Sequence, residues 1–151
     1  MTTRLILASA VALALPMAAS AQSALERMEA MSETMTEMTY TALVAEIPAL
    51  QGNLPTAEWD DEMRAAGECI LDGVEDEVGE DGVNEMLDNM EAAMASATPE
   101  GLMQGTFQPA LPDGITDQQM QAISNECGMV EIMMMRMAES GAMSIMMESG
   151  Q

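Results

Sequence analysis

The sequence predicts an all-α protein, a small bundle of about four main helices stapled by one disulfide and formed after removal of an N-terminal signal peptide. Three observations predict this class. Apolar residues recur at alternating steps of three and four through most of the chain, the spacing that lines one face of a 3.6-residue helix, and no stretch of comparable length alternates as a strand does. Capping residues open these stretches and glycine or proline closes them. Only two cysteines are present, Cys69 and Cys127, and an even pair in an oxidising compartment forms a disulfide.

The first 21 residues read as a signal peptide. Arg4 supplies the basic start, Leu5 to Leu15 the apolar run, Pro16 a break, and Ala19-Ser20-Ala21 a small-residue cleavage site that leaves Gln22 as the new N-terminus. The apolar run is too short to span a membrane, and no cysteine follows the site to carry a lipid anchor. Residues 22–151 are then a single acidic, methionine-rich domain destined for a periplasm or the medium.

The first helix is marked by the S-x-x-E capping box of Ser23 and Glu26. Leu25, Met28, Met31, Met35, Met38, Ala42 and Ala45 carry its stripe until Pro48 ends it. Pro48 to Pro55 reads as a linker. Thr56 is the expected cap of a second helix with Trp59, Met63, Ala66, Ile70 and Val74 on its stripe and Cys69 beside it. Gly79-Glu80-Asp81-Gly82 reads as a tight acidic turn, followed by a third helix on Val83, Met86, Leu87, Met90, Met94 and Ala97. Glycines and prolines between Gly101 and Gly114 interrupt regular structure, with Phe107 and Leu111 placed to lid one end of the bundle. The fourth helix runs from the T-x-x-Q box of Thr116 and Gln119 to Gly141, with Met120, Ile123, Cys127, Val130, Met134 and Met137 as its seam. Gly128 should only weaken it. Ile132, Met133 and Met135 widen its apolar surface, so it is expected to be covered on more than one side. A short helix over Ala142 to Met147 should follow.

Charge narrows the partners. Without Arg4, three arginines oppose 26 acidic residues, a net −23, and the chain contains no lysine or histidine. Such a field repels phosphate backbones and anionic headgroups, so nucleic acids and acidic membranes are disfavoured and basic peptides or cations favoured. The missing histidine and lysine remove the Ser-His-Asp, Cys-His, Ser-Lys and Schiff-base arrangements, and no glycine-rich phosphate loop occurs; a non-catalytic role is expected. The acidic run from Glu77 to Asp88 matches a calcium loop only in part, since Gly79 offers no side-chain oxygen and Asp88 stands where a glutamate should.

Methionine is the sharper signal, with 20 in the chain. A flexible thioether surface inside an acidic rim suits a protein or basic amphipathic peptide partner. A second copy of the chain is another candidate to cover excess apolar surface. The alternative reading is copper(I), which soft thioethers select, at the clusters Met28, Met31, Met35 and Met38 and Met133, Met134 and Met137. No other cofactor is implied.

Overall fold

The computed structural model describes residues 22–150, so the signal-peptide reading lies outside the described residues. Those residues form six α-helices and one 3-10 turn, with no strand among them. Helix α1 spans Ala24–Glu46. Its capping box forms as the sequence predicts: the Glu26 N–H donates to Ser23 Oγ at 3.2 Å and the Ser23 N–H donates to the Glu26 carboxylate at 2.8 Å. Pro48 ends the helix and opens a 3-10 turn over Pro48–Leu50.

Helix α2, Asp61–Met94, corrects the sequence reading twice. It is capped by Asp60 rather than Thr56, with the N–H groups of Glu62 and Met63 donating to Asp60 Oδ1 at 3.1 and 3.0 Å. The Thr56 hydroxyl is used earlier, accepting from the Glu58 N–H, and Trp59 enters the core ahead of the helix. Second, the break between its two helical arms is narrower than the four-residue turn expected: only Gly79 leaves the helical region, at φ 75° and ψ 175°, and helix resumes on its far side. A left-handed φ of this kind suits glycine alone among common residues. The kink folds Val78 onto Gly82, where an added Cβ would lie 2.4 Å from Val78 Cγ2. The expected second and third helices therefore both form, as two arms that meet at Gly79.

Helix α3, Pro99–Met103, is a single turn capped by the Thr98 hydroxyl. The fourth predicted helix is broken. Its Thr116–Gln119 capping box forms, but α4 stops at Glu126, Gly128 adopts φ 72°, and α5 starts anew over Met129–Glu139. Gly141, at φ 83°, separates α5 from α6, Ala142–Glu148. One left-handed residue redirects the axis, so a seam continuous in sequence is no longer one face. Met120, Ile123 and Cys127 pack on the core as expected, whereas Val130 and Met134 turn to solvent at 50% and 56% exposure. Ile132 and Met129, from the other register, take their place against the core.

Helix α2 is the floor on which α1 lies along one side and α4 and α5 along the other, while α3 rests on α1. The main core gathers Met28, Met31, Trp59, Met63, Ile70, Val74, Met86, Leu87 and Ile132. A second cluster, centred on Ile47, Leu50 and Ala142, joins the end of α1 and the 3-10 turn to α6. Two glycines permit close approach. An added Cβ at Gly67 would stand 2.4 Å from the Trp59 ring, and one at Gly73 would stand 2.8 Å from Ile123 Cγ2 where α4 meets α2. Beside that contact Cys69 and Cys127 are joined, with a Cα–Cα distance of 5.7 Å. Closing a loop of 58 residues contributes about 4 kcal/mol in the chain-entropy account.

Candidate functional site

Methionine forms two distinct surfaces. The first is internal. Helix α1 does not approach α4 or α5 directly, and the gap above α2 is a cavity of about 490 Å³. Met28 and Met35 of α1, Met63, Met86 and Met90 of α2, Met120 of α4, and Met129 and Met133 of α5 line it. Leu102 and the Pro109–Leu111 loop complete the wall, so Leu111 closes the bundle as expected, while Phe107 lies apart from this cavity. The polar side chains that line it are Ser32, Thr36, Thr39, Tyr40 and Ser124, with the indole of Trp59. No ionisable acid or base lines it apart from the Tyr40 phenol, which burial pushes above its ordinary range while Arg136 pulls the other way.

The second surface is external. Val130, Met134 and Met135 of α5, with Met143 of α6, border a shallow depression that also includes Asn125 and Glu131. Glu131 and Glu139 are exposed on α5, and Glu126 is exposed at the end of α4. The sequence reading expected α5 to be covered on more than one side; only Ile132 is buried.

The seven methionines named as copper candidates are distributed among different environments. Met28, Met35 and Met133 share the internal cavity. Met31 is buried in the core, Met38 is half-buried on α1, Met134 lies on the external face, and Met137 packs into the second cluster. Sequence reasoning did not pick out Met63, Met86, Met90, Met120 and Met129 as members of one cavity. Four of them were legible as apolar positions on helical stripes and Met129 lay off the expected seam, but which stripes face one another is set by the kink at Gly79 and the break at Gly128. The acidic run from Glu77 to Asp88 is helical on both sides of Gly79, so it offers no loop to wrap a cation. Among the described residues no group of three acid, histidine or cysteine side chains is placed to hold a metal ion.

All three arginines of the described residues are engaged at junctions between segments. Arg27 of α1 reaches Asp88 at 2.6 Å and Glu91 at 2.9 Å on α2. These two hydrogen bonds, that of Glu91 first, hold its guanidinium above its ordinary pKa. Arg64 of α2 reaches Glu29 of α1 at 2.6 Å. Arg136 of α5 pairs with Asp60 and donates to the Glu58 carbonyl, which ties α5 to the entry of α2. The Asp60 carboxyl is held below its ordinary range, first by the Met63 N–H and then by Arg136. What remains exposed is almost entirely negative. No helix of the described residues is long and apolar enough to cross a membrane.

No family model, curated protein or solved structure matches this chain.

Proposed function

We propose that this is an exported, non-catalytic binding protein that holds a basic amphipathic peptide on the methionine face of α5 and α6. The observation that carries the reading is the exposure of Val130, Met134 and Met135, at 50%, 56% and 45%, on one helix that also exposes Glu131 and Glu139. Unbranched thioethers adapt to partners of varied shape. The apolar face of an amphipathic helix laid on such a surface would bury those side chains, and its basic residues would meet the acidic flank. A second copy is the weaker occupant, because it would bring two strongly negative chains together. Export is supported by the signal-like leader and by the Cys69–Cys127 disulfide.

The test uses the purified, disulfide-bonded protein and a synthetic helix of lysine and leucine, with a glutamine and leucine helix as its uncharged counterpart. Saturable binding of the basic peptide that weakens with salt is expected. The double substitution Met134→Gln with Met135→Gln should reduce its affinity by roughly tenfold, the scale of about 1.4 kcal/mol, with the circular dichroism unchanged. Equal affinity for the variant would remove the α5 face as the site, and concentration-dependent dimerisation without peptide would assign it to a second copy.

Copper(I) is a second reading, favoured by the presence of Met28, Met35 and Met133 in one cavity. An anaerobic titration against a competing chelator decides it. Stoichiometric binding abolished by methionine oxidation supports copper handling, and no binding beyond the chelator eliminates it.

A further inference from the structure

The internal cavity is a separate site from the α5 face, and its chemistry specifies a different kind of ligand. Its volume of about 490 Å³ lies within the roughly 300–1,000 Å³ of small-molecule pockets. A single flexible apolar chain suits that volume and lining. The lining of thioethers, aliphatic groups and a few hydroxyls offers no charge to a buried head group. Met133 and Ala110, both exposed and both lining the cavity, mark where it meets solvent.

Electrostatics set the sign of the head group at that opening. A carboxylate or phosphate head needs a cation, and the sequence contains no lysine or histidine. Arg27, Arg64 and Arg136 are each already held by carboxylates. A positive head, by contrast, remains in the field of 26 acidic residues. We infer that the cavity binds a single-chain amphiphile with a cationic head group, its tail among Met28, Met35, Met63 and Met133 and its head at the opening.

Trp59 makes this testable in the unaltered protein, since it is the only tryptophan and lines the cavity. Decyltrimethylammonium, decanoate and an alkyltrimethylammonium carrying a terminal bromine are titrated below their micellar concentrations at low salt. Saturable binding of one cationic chain per protein is expected, with the brominated tail quenching Trp59 on contact. Its affinity should exceed that of decanoate by roughly tenfold or more, the lower end of what a strongly charged surface contributes to local concentration. Ser124→Phe, which places a ring in the cavity without changing any charge, should abolish the quenching. Equal affinity for decanoate would overturn the charge assignment. Binding without quenching, or quenching that persists in a folded Ser124→Phe variant, would place the ligand on the acidic exterior and overturn the cavity assignment, as would no binding at all. If Ser124→Phe fails to fold, the brominated tail in the unaltered chain decides alone. None of these outcomes depends on the peptide site.

Discussion

Helix α1 carries four methionines in 23 residues and α5 five in 11, and the two sets meet different ends. Along α1, Met28 and Met31 are buried and Met35 and Met38 are half-buried. Along α5, Met133, Met134 and Met135 are all exposed, and only Ile132 is buried. The difference lies in what covers each helix. The 23 residues of α1 lie along α2, held by Arg27 to Asp88 and Glu91, by Glu29 to Arg64, and by Glu33 accepting the Trp59 N–H at 2.9 Å. The 11 residues of α5 are bounded by left-handed glycines at 128 and 141 and fastened by one ion pair, with a disulfide just before the helix begins. A methionine stripe thus reports the capacity to be core, and only a neighbouring element converts that capacity into burial.

Removing the disulfide is the strongest way to test the comparison. Cys69→Ser with Cys127→Ser should lower stability by about 4 kcal/mol in urea unfolding. Because α4 and α5 depend on that link whereas α1 has its own clamps, hydrogen exchange should show α4 to α6 losing protection ahead of α1. Uniform loss along the chain would mean that the two walls are not separately held. Next in size is a pair of matched truncations. Met31→Ala should cost about 3 kcal/mol, the usual scale for a buried methionine, while Met135→Ala should stay within about 0.5 kcal/mol. Similar costs in thermal melts would show that α5 is covered in solution, and a dimer would then be the first thing to seek.

The smallest effect concerns the ion pair that ties α5 to α2. The Asp60 carboxyl is depressed below its ordinary value of 3.8 when folded, so its contribution is present above that value and is lost as pH falls through the lower folded-state value. Asp60→Asn keeps a capping oxygen but removes the charge that meets Arg136. Acid unfolding followed below about pH 4 should therefore be shallower in the variant than in the parent. Superimposable pH profiles would show that the Asp60 charge adds nothing beyond the cap.

The legibility of the chain follows the range of the forces involved. The capping boxes of Ser23 with Glu26 and Thr116 with Gln119 formed as read, because each is closed by residues three apart. Pro48 stopped α1 and the short helix near Ala142 appeared for equally local reasons. The pairing of Cys69 with Cys127 was readable because no other partner existed. The cap at Asp60 was missed because Thr56 is also an adequate acceptor, and the choice rests on burying Trp59 and on the distant Arg136. The break at Gly79 was legible, though as a longer turn, whereas Gly128 was read only as a weak point, because nothing local says whether a glycine inside a periodic stretch stays helical or crosses to positive φ.

By itself the sequence determined the helical class, most helix starts and stops, the disulfide pairing and the negative exterior. These depend on spacing, on backbone groups within a turn of one another, and on composition. Tertiary structure alone decided that Met28, Met63, Met90, Met120 and Met133 line one cavity while Met134 and Met135 face solvent. The physical reason is that a single left-handed residue redirects everything after it. Which apolar faces meet then depends on summed packing over the whole chain, and no local spacing records it.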